Sequence, residues 1–413
     1  MATNTSGITP RIRLAIIGGG IAGCSLANAL GQIPHLEIQV YEAAPEFSER
    51  GAAVGLTHNA QLALAHVLPS AKEVLEKAGA VPLSSSRVMI GSGQHAGAVV
   101  FDVESDDKPS VVVHRASLLR ELLAPLPKEI LHGNKKLVSI SNKDGAKSFD
   151  ITFEDGTTEM FDAVIGADGV FGPVPSPAGV WDCRNVVPFE KAIAVLGEEN
   201  FRKPRQYGWC GDGAFIMHDV CENGTMVQCV MSALETDPPK DRKRPLTREI
   251  LTKIYSSWLD GPIANGAIDI FLDQPNPSSY SEWEHKSTST YANGHICIMG
   301  DAAHATTPWQ GSGAGMAIED AMVLAALLGD IRSSEEIDSA FKAFDAVRRS
   351  RCQQIIDSSR GTGLIMCGQD SEVGLDPEKI REKLSHRWDF IVGLDHAAHK
   401  QEAVDKMREI QGK

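Results

Sequence analysis

The chain carries no cysteine pair at C-x-x-C spacing, no apolar run near the roughly 20 residues that span a bilayer, no positive excess and no internal repeat. Each absence removes a class. Its eight cysteines (Cys24, Cys183, Cys210, Cys221, Cys229, Cys297, Cys352, Cys367) show no metal-ligand spacing with histidine, so they read as reduced thiols. A formal net charge of −14 argues against nucleic acid or an anionic membrane surface as partner, since both need clustered cations to displace counterions. Residues 1–10 are polar and lack the apolar core of a secretory signal, so the expectation is a soluble cytoplasmic protein with no membrane partner. What remains is ordinary globular material, 413 residues with 42% apolar, enough for two domains or for one with a large insertion.

What is present begins with RLAIIGGGIAGCSLANAL, a β-branched strand running through three spaced glycines into a small-residue helix. Gly18 allows a tight turn, Gly20 lets backbone approach a pyrophosphate, and Gly23 lets the helix pack on the strand. The helix start then offers free N–H groups and a favourable dipole to an anion. A second apolar run, residues 36–41, ends in Glu42, about 20 residues on, where a carboxylate meets a ribose diol. This is a βαβ dinucleotide unit, and the chain has no second copy of its G-x-G-x-x-G pattern.

Further along, residues 59–80 read as helix interrupted at Pro69, 87–90 and 98–103 as a strand pair, 111–114 as a strand and 115–123 as a helix. Strands are expected at 148–154 and 163–165. From Phe171 to about Glu282 the composition shifts to proline, aromatics and short β-like runs such as 214–218 and 225–232, a separate sheet-rich region. Residues 295–299 resume the buried-strand pattern, and 314–328 form a long small-residue helix. The first domain is therefore discontinuous. Three segments share one grammar, strand then glycine then acid or helix: IIGGGIAG, VIGADG and CIMGDAAH. Asp168 and Asp301 could each simply cap a helix, but two such sites beside the glycine turn favour the carboxyl edge of one parallel sheet, where nucleotides bind.

With these residues in view, the chain resembles the class A flavoprotein aromatic monooxygenases, the group of salicylate hydroxylase and 4-hydroxybenzoate hydroxylase, particularly fungal members. The resemblance rests on GGGIAG with Glu42, VHRASLLREL around Arg115, GADG at Gly166 to Gly169, and GDAAHATTPWQGSGAGMAIEDA from Gly300. It implies an α/β fold: a discontinuous Rossmann-type FAD-binding domain with an inserted sheet-rich substrate domain. The expected segments are 1–171, 172–282 and 283–413, with 84–104 packing on the substrate domain. The glycine turn would hold the FAD diphosphate, Glu42 the adenosine ribose, Arg115 the middle of the cofactor, and Asp301 the ribityl and pyrophosphate region. Gly55 would flank the flavin on one side; Pro308, Gly313 and Ala314 would line the other, where backbone N–H groups stabilise negative charge. NAD(P)H would dock transiently near Asp168. One departure stands out: relatives carry DGxxSxxR, whereas here Gly169 leads into Val170-Phe171-Gly172-Pro173-Val174-Pro175, without the arginine.

The activity so implied is insertion of one oxygen atom from O₂ into a small aromatic or phenolic substrate, through a flavin C4a-hydroperoxide. An electron-rich phenolate is the best acceptor of that oxygen, so the site needs a cation or a base. Arg184, which the resemblance aligns with a family arginine, is the expected phenolate anchor, and His218 the expected proton acceptor. His58 and Tyr207 are reserves. His304 is expected to support the Asp301 loop, and the arginines of 345–360, bracketed by Asp345 and Asp357, to form a solvated face. Two alternatives stay open: a flavin-dependent epoxidase or heterocycle oxidase of secondary metabolism, and an FAD oxidase or FAD-binding assembly protein without oxygenase activity.

Overall fold

The strand Ile12–Ile17 forms the middle of a six-stranded sheet, in a computed structural model that describes residues 11–48, 53–83, 85–104, 108–142, 148–171, 175–203 and 205–413. Across this sheet the order is Ala292–Asn293, Ile296–Ile298, Ala163–Gly166, Ile12–Ile17, Leu36–Tyr41 and Leu131–His132, all parallel except the first. The register aligns the strand ends: Ile17 lies opposite both Tyr41 and Gly166, and Gly166 opposite Ile298. Gly18, Glu42, Ala167 and Met299 therefore leave the sheet at one edge. That juxtaposition follows from parallel pairing, because equal strand ends put every following loop on the same side.

One face of this sheet is buried by the helices Ile21–Leu30, His58–Val67, Arg115–Leu123 and Gly313–Asp330, whose apolar sides share one core with Leu14, Ile16, Ile38 and Ile165. The other face is covered by a three-stranded antiparallel sheet, Leu137–Ser141, Phe149–Phe153 and Thr158–Phe161. Its Phe153 and Phe161 pack on Tyr41, Ala15 and Ile17. The first and last of these strands are not among those read from the sequence: Leu137–Ser141 is mostly exposed and the four-residue run TEMF is too short to show a period.

A larger, eight-stranded sheet lies over the carboxyl edge. Its order is Lys243–Pro245, Ser278–Glu284, Ser176–Pro188, Met226–Leu234, Ala214–Cys221, Gln206–Gly211, Ser85–Ile90 and Val99–Glu104. Two of its strands thus come from the part of the chain that precedes Arg115. One face is buried against the helices Phe189–Leu196, Arg248–Ile254 and Ala264–Leu272 in a separate core around Trp181, Trp209, Tyr255 and Trp258. The opposite face looks toward the six-stranded sheet. The chain closes with the 30-residue helix Ile337–Met366 and the helices Pro377–Leu384, Asp389–Val392 and His396–Gln411. Among the described residues no helix is long and apolar enough to cross a membrane.

Candidate active site

The glycine turn is packed so closely that side chains have no room. Gly18 sits at φ +114°, and a Cβ there would lie 2.2 Å from the Ala167 carbonyl oxygen. At Gly23 a Cβ would lie 2.0 Å from the Gly18 carbonyl oxygen. The first contact locks the turn to GADG; the second seats the helix Ile21–Leu30 on the turn. Gly20 is the N-cap of that helix and supplies no side-chain cap, so the leading amides keep their N–H groups for another partner. Glu42 stands at the end of its strand and accepts from Gly19 N at 2.9 Å and Ala44 N at 2.8 Å. Its two oxygens retain lone pairs beyond those bonds.

Two more loops enter at the same edge. Asp168 is exposed at the end of Ala163–Gly166, and the surrounding protein, by displacing water, raises its carboxyl above the usual range. Residues 172–174, where the family arginine is missing, lie outside the described residues. Gly300, at φ +59°, approaches the first helix: a Cβ would lie 2.8 Å from Ala22 Cβ. Asp301 follows it, exposed in the cleft, and a Cβ on Gly313 would be 4.0 Å from Asp301 Oδ1.

Beneath Asp301 lies a buried ionic network. Asp320 accepts from Gly300 N at 2.9 Å, from His304 Nε2 at 2.5 Å and from Arg348 Nε at 2.8 Å. Arg348 also donates to Glu319 at 2.7 Å, and Arg351 to the same carboxylate at 3.0 Å. Burial alone would raise the Asp320 carboxyl; the His304 imidazole and Arg348 guanidinium outweigh it and push the pKa down. His304 thus anchors the amide that precedes Asp301. Two of the arginines are a correction here: Arg348 is fully buried and Arg351 mostly so, because helix Ile337–Met366 turns that face onto Gly313–Asp330, whereas Arg349 stays partly exposed, as expected, and pairs with Asp345 at 2.9 Å.

The opposite rim is built on the strand Ala53–Leu56, which pairs with Ser110–His114 so that Gly55 lies opposite Val112 and Ala53 opposite His114. Arg115 follows directly, half-buried at the start of its helix. Above Gly55 a Cβ would meet nothing within 4 Å. Pro308–Gln310 forms one tight turn, Gly311 takes φ +61°, and the 18-residue helix Gly313–Asp330 begins. Ser312 gives its hydroxyl to Gln310 O at 3.0 Å and so does not cap this helix. The amides of Gly313 and Ala314 therefore face the opening as donors without an intrahelical partner.

Strand alternation decides the other wall. Arg184 lies opposite Val230, Val230 opposite Met217, Met217 opposite Gly208 and Gly208 opposite Val88, one continuous row across the large sheet. This row shares its face with Phe215, whose ring meets Trp309 edge-on at 5.6 Å, and with Gln228, which accepts from Ala53 N at 2.7 Å. Arg184 therefore faces the cleft. His218 does not. It belongs to the alternate row with Tyr207 and Cys229, under the helices, stacked on Tyr207 at 4.9 Å and 9°. Burial lowers its pKa to about 3, and its Nε2 has no partner among the described residues. The proton-acceptor role expected of His218 has no geometry here, and Tyr207, 3% exposed, is buried on the same side.

Two acids missed in the sequence accompany Arg184. Asp182 Oδ2 accepts from Arg184 Nε at 2.5 Å and also pairs with an amino group of the same guanidinium, while Glu282 lies 3.6 Å from it. Asp182 could have been read from the sequence, since two residues along a strand share a face. Glu282 carries no such signal; its strand joins from 100 residues away through the pairing of Ser278–Glu284 with Ser176–Pro188. A third buried acid, Asp219, is held by Gln206 and Gln228 at 3.2 and 3.3 Å, and burial raises its carboxyl to about 7.

Comparison with known proteins assigns this arrangement. Residues 117–359 match the FAD binding domain family. The chain is 34% identical over 426 residues, 97% of its own length and 93% of the relative's, to 6-methylsalicylate 1-monooxygenase atA of Aspergillus terreus. It belongs to the FAD-dependent aromatic monooxygenases. An FAD-dependent monooxygenase of Aspergillus niger, orf3, is 29% identical over 92% of this chain and 94% of that one. In fold, this monooxygenase resembles a salicylate hydroxylase substrate complex with a TM-score of 0.83, at 22% identity and covering 96% and 98% of the two chains. HpxO of Klebsiella pneumoniae complexed with FAD and uric acid gives 0.75 at 22% identity, covering 95% and 97%.

The cradle fits FAD on its own evidence. Three strand-to-helix loops converge, two helix starts offer unsatisfied amides, and the space above Gly55 and Gly311 is open. Within it the glycine turn would take the diphosphate, Glu42 a ribose, Asp301 the ribityl region, and residues 308–314 the flavin ring. Reduced nicotinamide is the co-substrate general to the family.

Proposed function

We propose that this monooxygenase hydroxylates a small phenol held between the flavin-facing loop 308–314 and the Arg184 row of the large sheet. The observation that carries the reading is the position of Arg184: a half-buried guanidinium in one row with apolar Val230 and Met217, on the sheet face turned to the FAD cradle. Bound FAD, reduced by NAD(P)H, supplies activation of O₂ and the oxygen atom that enters the ring. The chain supplies the rest. The Gly313 and Ala314 amides stabilise negative charge at the flavin side of the cleft, as preorganised donors do in a water-poor site. Arg184 stabilises the anionic form of the phenol oxygen, which makes the ring carbon more nucleophilic. Phe215 and Trp309 close one end against water. That the relative atA is a monooxygenase of 6-methylsalicylate, itself a phenol, supports this substrate class.

The test is a screen of small phenols against the FAD-loaded protein, following substrate-accelerated NAD(P)H oxidation and ¹⁸O incorporation from ¹⁸O₂. Acceleration with one labelled oxygen in the product is expected. Oxidation that stays flat across phenols, or a protein that cannot take up FAD, would overturn the proposal.

A further inference from the structure

The side of the cleft that would meet the substrate's polar group contains a cation already matched by acids. Arg184 gives Nε and an amino group to Asp182, which is 4% exposed, and reaches Glu282 with the same amino group. Asp182 holds the guanidinium in its charged form. Loss of hydration, reinforced by the Asp182 carboxylate with which it shares a hydrogen bond, pushes the Glu282 carboxyl well above the usual range. The guanidinium is therefore already answered by one carboxylate at hydrogen-bond distance, with a second acid beside it. The other cations beside Ser278–Glu284 are engaged elsewhere: Arg360 with Glu284 at 2.8 Å and Asp357 at 3.0 Å, Arg244 with Glu235 at 3.3 Å, Arg242 over the Trp283 ring at 4.0 Å and Lys243 over the Tyr280 ring at 5.9 Å. Around the cluster the row is apolar, through Val230 and Met217.

We infer that the cleft selects an uncharged hydroxyarene and rejects an aromatic carboxylate, because the Arg184 guanidinium is already paired with the buried Asp182 carboxylate. The inference rests on the phenol hydroxylase reading above and narrows its substrate class. A ligand carboxylate would place a second anion beside Asp182 in a desolvated site, where like charges a few ångströms apart repel strongly. A phenol binds without adding charge: its hydroxyl donates to the Asp182 carboxylate, and transfer of that proton to Asp182 lets the phenolate form beside the guanidinium with the net charge of the site unchanged. The reaction then inserts one oxygen atom of O₂ into a ring C–H bond. The second leaves as water with the hydride of NAD(P)H and a proton, and no carbon dioxide is released.

A matched pair of ligands tests this: 3-methylphenol and 6-methylsalicylate, which differ by one carboxylate. Each is titrated into the FAD-loaded protein, and binding is read from the perturbation of the flavin absorbance without turnover. We expect 3-methylphenol to bind at least about tenfold more tightly. Asp182→Asn, which frees the guanidinium, should shrink that preference to about threefold or less by strengthening 6-methylsalicylate. Glu282→Gln, which leaves the Asp182–Arg184 pair in place, should retain the preference for 3-methylphenol. Equal or tighter binding of 6-methylsalicylate to the unaltered protein overturns the inference and leaves the hydroxylase reading standing. A flavin spectrum indifferent to both ligands and to a wider set of phenols overturns the hydroxylase reading and the inference with it.

Discussion

The two walls of the cleft are made of different material. On the side of the six-stranded sheet the surface offered to the cofactor is largely backbone: glycines too crowded for a Cβ, and amides at two helix starts. On the side of the eight-stranded sheet it is side chain, with Arg184, Asp182 and Glu282 projecting from strands remote in sequence. At Gly18 and Gly23 that wall tolerates almost no substitution, since the group that would intrude has nowhere to go. A side-chain wall can be rewritten by single substitutions without moving the frame. Cofactor binding should therefore be brittle and substrate choice adjustable.

The strongest way to break the contrast is Gly23→Val. A side chain 2.0 Å from the Gly18 carbonyl must displace the helix from the turn, so the variant is expected to purify colourless, with FAD affinity down by about a hundredfold or more. The ratio of flavin to protein absorbance reads this directly. Next comes Arg348→Met, which leaves Asp320 and Glu319 buried beside a missing partner. A loss of about 3–5 kcal/mol in thermal or urea unfolding is expected, with FAD loosened through Gly300 and Asp301. Unchanged stability would mean that the network does not carry the loop.

On the side-chain wall, Arg184→Ala should keep FAD while substrate-stimulated turnover falls about a hundredfold, the scale of losing one preorganised charge-stabilising group. A variant that turns over normally would remove Arg184 from the site. The smallest effect is expected at His218→Phe, with turnover within about threefold of the parent, because His218 faces the helices. Its signature lies in stability. Burial depresses the imidazole from 6.5 to about 3, so the folded state favours the neutral ring. That contribution is complete above pH 6.5 and is lost as pH falls toward 3, by up to about 1.4 kcal/mol per pH unit. The phenylalanine variant should flatten this acid-side loss in urea melts between pH 4 and 7.

The same contrast explains which residues could be read in advance. The strand Ile12–Ile17, the helix Arg115–Leu123 and the loops at Asp168 and Asp301 announce themselves locally, because a tight turn or a helix start needs particular residues at fixed spacing. Arg348 misled, since charge along a helix says nothing about which face another helix will cover. His218 misled for a related reason: in a strand whose two faces are both buried, alternation of polarity no longer marks the inward side. Glu282 was silent altogether.

Sequence alone determined the cofactor half: the glycine spacing, the acid at the end of the second strand and the small-residue helix start are local backbone requirements, legible wherever they occur. Tertiary structure alone decided the substrate half. Whether Arg184 or His218 faces the cleft is set by the register and twist of eight strands drawn from distant segments. A one-residue difference in position along a strand sends a side chain to the opposite face.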